Sequence, residues 1–382
     1  MIELKRVKLK ELIKEVNERN KGEKVKRVLS VTNSRGFVNQ EEYFDGTVHS
    51  TDISNYKIVR KNQFAYNPSR VNVGSIDILK NFEEGALSPM YVVFEVDTTR
   101  LLPEYFKYYF QTNRFFENVK NSTQGSVRNS LNFKALSNFE ILLPSIEEQE
   151  KIVTILNNVD KIINKENLAI ELLKNEKRGY FEKLLKANLC LKKQKFSKYI
   201  TEYNEKTSDK IKFPLYSLTI ENGIIPKSEK YEREFLVKKT EDMYKIVPPN
   251  AFVYNPMNAR FGAIKANHEK FAVAVSGYYD VFYMGTEKTL QFWENYLTSQ
   301  IMLKVYNSIS NGSLIEKQRV HFSQFTNIEM RIPEINEQEK ISNILDKFEK
   351  AINKRIEEME CYKNLKKGLM QKLLTGKVKV NV

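Results

Sequence analysis

Two short stretches carry side chains that could read a nucleic acid. Phe64-Ala65-Tyr66-Asn67-Pro68 runs on into Ser69-Arg70-Val71-Asn72-Val73. At an offset of 188 residues, Phe252-Val253-Tyr254-Asn255-Pro256 runs on into Met257-Asn258-Ala259-Arg260-Phe261. An arginine can fork onto the two major-groove acceptors of guanine, and an asparagine can pair with the donor and acceptor of adenine. Arg70, Asn72, Asn258 and Arg260 therefore form a candidate DNA-binding set. The framing residues agree while the candidate readers differ, as expected of two modules that read different half-sites. A second pair of features is the loop Gly125-Ser126, followed by Arg128, and the loop Gly312-Ser313, followed by Lys317 and Arg319. Such loops present backbone amides and cations to phosphate. Ser126, Arg128, Ser313, Lys317 and Arg319 join the set, as does Arg35; taken singly, each cation also reads as solvated surface charge.

Enzyme signatures are missing from the sequence. There is no GxxxxGK[ST], no Gly-x-Gly, no His-Glu-x-x-His, no Gly-x-Ser-x-Gly and no Cys-x-x-Cys. Asn67-Pro68 and Asn255-Pro256 invite comparison with the Asn-Pro-Pro-aromatic motif of amino methyltransferases. Ser69 and Met257 stand where that motif has its second proline, so Tyr-Asn-Pro reads as a turn that closes a strand. His49, His268 and His321 fall at non-equivalent places in the two halves, which argues against a duplicated catalytic histidine. Cys190 and Cys361 lack metal-ligand spacing and read as reduced thiols. The net charge of +14 favours a polyanionic partner. No run of about 18 apolar residues and no apolar N-terminal core is present, so the expectation is a cytoplasmic chain.

The elements that must position these groups are written twice. Tyr56-Lys57-Ile58-Val59 returns as Tyr244-Lys245-Ile246-Val247, and Ser88-Pro89-Met90-Tyr91 aligns with Ser276-Gly277-Tyr278-Tyr279. An aromatic helix expected over 104–120 has its partner at 291–306. Pro144 and Pro333 each open a long run with apolar residues at steps of three and four. A helix over 149–187 would be about 58 Å long, a length that suits a coiled coil. Residues 188–212 are polar and read as a linker; residues 1–28 read as a strand or turn and then a short helix. The chain is thus expected to be two copies of one module, a globular unit followed by a long helix. Stripes wider than a two-per-heptad seam suggest that Ile152, Ile155, Val159, Ile341, Leu345, Phe348 and Ile352 dock a partner, although helices packed on their own globular units would show the same width.

Taken together, the chain resembles the specificity subunit of type I restriction–modification enzymes. The residues that carry the likeness are Leu143-Pro144 with Glu147-Glu148-Gln149-Glu150-Lys151-Ile152, Ile332-Pro333 with Glu337-Gln338-Glu339-Lys340-Ile341, and the ending Leu369-Met370-Gln371-Lys372-Leu373-Leu374-Thr375-Gly376. The resemblance implies an α+β chain with two target recognition domains, at 1–143 and 213–332. Two long antiparallel helices, at 144–187 and 333–376, would separate them as a coiled coil. It implies a non-catalytic subunit in which each domain reads half of a bipartite, asymmetric double-stranded DNA site. The helices would set the gap and dock two modification (methyltransferase) subunits, with restriction subunits joining them. S-adenosylmethionine, ATP and Mg would then sit on the partners, and none in this chain.

Two rivals come from other classes. A stand-alone DNA modification enzyme predicts methyl transfer by the chain alone. A coiled-coil adaptor predicts sequence-blind DNA binding even in a full complex.

Overall fold

The computed structural model describes residues 5–43, 49–123, 130–187, 192–221, 223–227, 243–311 and 318–380. The helices that matter below are α1 (Pro103–Tyr109), α2 (Asn113–Thr123), α3 (Ile146–Ala187), α4 (Leu290–Leu297), α5 (Gln300–Ile309) and α6 (Ile335–Leu373). The chain divides into two compact units. Unit 1 takes the residues up to Asn167 together with those from Glu358 onward, and unit 2 runs from Leu168 to Glu357.

Both units are built on the same four-stranded antiparallel sheet. In unit 1 the strand order is Ile13–Val16, Val92–Val96, Phe64–Tyr66, Ile76–Ile78; in unit 2 it is Ile200–Glu202, Asp280–Met284, Phe252–Tyr254, Ile264–Ala266. Phe64 stacks on Phe94 at 5.3 Å in the first, and Phe252 on Phe282 at 5.5 Å in the second. The repeated Tyr-Lys-Ile-Val places a buried lysine beside an acid in both: Lys57 is 4.0 Å from Glu15, and Lys245 is 3.1 Å from Asp280. A buried ammonium needs such a partner.

The aromatic helix expected over 104–120 is two helices. Thr112 Oγ donates to the Tyr109 carbonyl and accepts from the Phe115 N–H, which ends α1 and starts α2. Ser299 does the same between α4 and α5. Two further expectations are corrected. Residues 193–207 are not a linker: Lys193–Lys195 pairs with Glu329–Arg331, Ile200–Glu202 with the Asp280–Met284 strand, and Phe196 between them is fully buried. No α-helix follows the first strand, because Leu9–Glu11 is a single 3-10 turn leading into strand Ile13–Val16, with Leu9 and Leu12 buried.

The long helices begin where the prolines place them. Ser145 Oγ accepts the Glu148 N–H at 3.2 Å, and Glu147 and Glu148 sit at the positive end of the α3 dipole. The repeated glutamine is a brace. Gln149 is fully buried; its amide nitrogen donates to the Arg100 and Pro144 carbonyls and its oxygen accepts the Leu102 N–H. Gln338 keeps the bond to the Pro333 carbonyl, at 2.8 Å.

The cores draw on both helices. In unit 1, Ile152 and Leu156 from the start of α3 pack with Met370 and Leu373 near the end of α6 and with Leu374 just beyond it. Lys366 there reaches Asp160 at 2.8 Å. In unit 2, Phe181 and Leu185 from the end of α3 join Ile341 and Leu345 from the start of α6. Lys177 is ion-paired with Glu349 and Tyr180 lies against Phe348, so α3 and α6 run antiparallel there.

One couple of opposite charges is inverted between the copies. Asp77 meets Lys107 at 2.9 Å in unit 1. The matching positions in unit 2 are Lys265 and Glu294, and Glu294 pairs with His268 at 3.0 Å. Burial pushes the Glu294 carboxyl up, but the His268 hydrogen bond, the Lys265 and His268 charges and the Ala266 N–H outweigh it and hold it at about 2. The hydrogen bond to Glu294 raises His268, against its partial burial and the Lys265 charge; Glu349 adds to the rise. Glu294 therefore stabilises unit 2 in full above its unfolded value near 4.5 and loses that contribution as pH falls toward 2. His268 contributes in full below its unfolded value near 6.5, and its share is lost as pH rises through the raised folded value. Since His268 is half exposed, water screens the pair. The thermal midpoint of unit 2 should fall by only about 1–2 °C between pH 6 and 8 from this source. His268→Gln should remove that slope; a slope unchanged in the variant would assign it elsewhere.

Candidate nucleic-acid interface

The two Tyr-Asn-Pro turns share one backbone design. Asn67 Oδ1 accepts the Ser69 N–H at 3.0 Å, and Asn255 Oδ1 accepts the Met257 N–H at 3.1 Å. A 3-10 turn follows in each, Val71–Val73 and Ala259–Phe261. Gly74 and Gly262 close these turns at φ +93° and +91°, a backbone region that glycine enters without strain. On this shared frame Arg70 occupies the position of Asn258, and Asn72 that of Arg260: arginine and asparagine have changed places.

Each turn is tied to the segment that follows the stretch expected to meet phosphate. The Pro68 carbonyl accepts the Leu131 N–H at 3.0 Å, and the Pro256 carbonyl accepts the Val320 N–H at 3.0 Å. Tyr254 donates its hydroxyl to the Val320 carbonyl at 2.6 Å. Burial pushes the Tyr254 hydroxyl far up, so it is a neutral donor, and burial does the same to Tyr66. Asn311 and Arg319 exchange backbone hydrogen bonds of 3.0 Å across the base of the second loop. Ser126, Arg128, Ser313 and Lys317 lie outside the described residues.

A hairpin joins this edge in unit 1. Its strands are Leu29–Thr32 and Gly36–Asn39, and the Ser75 hydroxyl donates to the Val31 carbonyl at 2.7 Å. Arg35 lies in the hairpin turn, exposed, with its guanidinium 5.7 Å from the centre of the Tyr43 ring. The turn Ser88–Tyr91 stands at the same end of the sheet, since Val92 pairs with Tyr66. Its Tyr91 hydroxyl accepts the Val31 N–H at 3.3 Å. In unit 2 the hairpin is Tyr216–Thr219 with Gly223–Pro226, and Ser276–Tyr279 is the second turn.

Most of the described sequence candidates are open to solvent. Arg70, Asn72, Asn258 and Arg319 are exposed. Arg260 differs: it is half-buried, its Nη1 donates to Gln318 Oε1 at 2.7 Å, and its guanidinium lies 4.5 Å over the Phe261 ring. Reading from the sequence passed over the exposed apolar residues of this edge, Val73, Met90, Met257, Phe261 and Tyr278. They were visible in the aligned stretches as large apolar residues at turn positions.

The seven apolar residues expected to dock a partner are turned inward. Ile152, Val159, Ile341, Leu345 and Ile352 are 8% exposed or less, and Ile155 and Phe348 are half-buried. The width of the stripe follows from packing on the chain's own globular parts as well as on the other long helix. Exposed leucines remain elsewhere on the helices, at Leu168, Leu172 and Leu365. Among the described residues no cluster of acids, histidines and cysteines could hold a metal, and no helix is long and apolar enough to cross a membrane.

One edge is built twice, with different side chains on one frame, in a chain of two units. Residues 4–174 and 191–359 each match the type I restriction modification DNA specificity domain, and the chain belongs to that family. It is the non-catalytic DNA specificity subunit of a type I restriction–modification system. Among relatives, it is 22% identical to a protein described as the MjaX specificity subunit of a type I restriction enzyme from Methanocaldococcus jannaschii, over 94% of this chain and 88% of that one. It is 24% identical to the MjaVIII specificity subunit of the same organism, over 81% and 77%. Two solved structures share the fold. One, from a type I R-M system studied for complex assembly and conformational transition, has a TM-score of 0.54 at 11% identity, covering 97% of both chains. The other, the S subunit of a type I restriction-modification system from M. genitalium, has 0.51 at 12%, covering 97% of this chain and 96% of that one.

Proposed function

We propose that each unit reads one half of a bipartite, asymmetric double-stranded DNA site, through the edge that carries its Tyr-Asn-Pro turn, hairpin and Gly-Ser loop. The observation that carries this reading is the exchange of Arg and Asn between equivalent positions on one frame, Arg70 for Asn258 and Asn72 for Arg260. Base-edge contacts specify sequence and phosphate contacts fix register. Arg70, Asn72 and Asn258 take the first role, and Arg35, Arg128, Lys317 and Arg319 the second, with the Ser126 and Ser313 loops offering backbone amides to phosphate. Arg260 holds the second turn against Gln318 while it faces the groove. Helices α3 and α6 set the gap between half-sites, and their solvent faces dock two modification subunits, which restriction subunits join. S-adenosylmethionine, ATP and Mg act on those partners, in the cytoplasm.

Domain exchange tests the reading. The graft must keep strand Lys193–Lys195 with its partner Glu329–Arg331, so residues 192–332 move together. Replacing them by the matching segment of another specificity subunit should change one half-site and leave the other half and the gap intact, as read by sequencing of methylated DNA. A change in both halves would sink the two-reader assignment.

A further inference from the structure

We infer, on the reading that unit 2 takes one half-site, that Met257, Phe261 and Tyr278 form an apolar patch that receives the 5-methyl group of thymine in the major groove of that half-site.

Phe261 and Met257 are each 50% exposed and Tyr278 is 90% exposed. A lone exposed apolar side chain is ordinary. Here three share one end of the sheet, because Tyr254, which leads into the Met257–Phe261 turn, pairs with Asp280, which follows the Tyr278 turn. The other copy keeps the feature. Val73 matches Phe261 and Met90 matches Tyr278, and they are 57% and 67% exposed. Two turn positions therefore hold an exposed apolar side chain in both units while the polar residues between them change. The patch also lies among DNA-facing groups. Asn258 sits between Met257 and Phe261, and Arg260 covers one face of the Phe261 ring while held by Gln318, which fixes that ring at the edge. Thymine is the base that presents a methyl group in the major groove, opposite an adenine that an asparagine can read. Asn258 flanked by Met257 and Phe261 suits that base pair.

The test uses the full chain assembled with its modification subunits. Methylation-sensitive sequencing of host DNA supplies the target, and exchange of residues 192–332 marks the half belonging to unit 2. Each thymine of that half is replaced in turn by deoxyuridine, which lacks only the methyl group. One replacement should weaken binding about fourfold, the worth of one buried methyl. In a Phe261→Ser, Tyr278→Ser double variant the natural duplex should bind about as weakly as the deoxyuridine duplex. The deoxyuridine effect should then vanish, with the other half-site unaffected. The thermal midpoint, unchanged for such exposed positions, checks the fold. Equal binding of every thymine and deoxyuridine duplex overturns the inference, as does a deoxyuridine effect that survives in the variant. Loss of subunit assembly without a change in base preference also overturns it and gives the patch to a protein partner. A domain exchange that moves no half-site overturns the two-reader assignment itself, and this patch with it.

Discussion

Leu373→Asp is expected to unfold unit 1 and leave unit 2 folded, although Leu373 is the last residue of a helix, α6, that begins in unit 2. Leu373 is 5% exposed and packs with Met370, Leu374, Ile152 and Leu156 in the core of unit 1. A carboxylate there has no cation among the residues of that cluster and loses its hydration. A cost of about 4 kcal/mol or more follows, a large fraction of the stability of a typical domain. Hydrogen exchange on the full chain reads the outcome by segment. Amides of the Phe64–Tyr66 and Val92–Val96 strands should lose protection while those of Phe252–Tyr254 and Asp280–Met284 keep it. Loss in unit 2 first would contradict the assignment of the end of α6 to unit 1. Ile352→Asp acts in the same manner on unit 2, where Ile352 is 4% exposed.

Arg70→Ala is expected to weaken binding of the assembled complex to its target by about 10- to 100-fold, the range for one bidentate base contact, and to relax preference at a single base pair. Arg70 is exposed, with no ion pair among the described residues, so its fork is free for a guanine. Lysine should not restore the preference, because it lacks the planar two-donor geometry. Binding to target variants at one fixed salt concentration separates the outcomes. A uniform loss across all sequences would make Arg70 a phosphate contact instead.

Much of this was legible in the sequence. The duplication shows as repeated strings in constant order, and the turn residues Asn-Pro and Gly mark where strands end whatever lies around them. The Tyr-Asn-Pro turns were found for the same reason. Three things were not legible, each for a physical cause. Lys193-Gln194-Lys195 forms a polar edge strand whose pairing comes from Glu329–Arg331, far along the chain, so no local alternation betrays it. The stripe on α3 and α6 reports that a face is covered but not by what. Ile152, Ile155, Ile341 and Leu345 pack in the chain's own cores. Arg70 and Arg260 look alike as letters, yet a glutamine 58 positions from Arg260 holds one of them and leaves the other open.

The division of the chain has an energetic consequence. Unit 2 is one continuous segment, whereas unit 1 is assembled from two segments on either side of it. Unit 2 is therefore an insertion nested inside unit 1. While folded, it holds the two pieces of unit 1 within reach of each other. Once unfolded, it becomes a slack loop of nearly two hundred residues, and closing that loop costs unit 1 about 4–5 kcal/mol of chain entropy. Melting of unit 1 releases only two tails and imposes no such cost on unit 2. The thermodynamic coupling is thus one-sided: the outer unit relies on the inner one, and the inner one can stand without it.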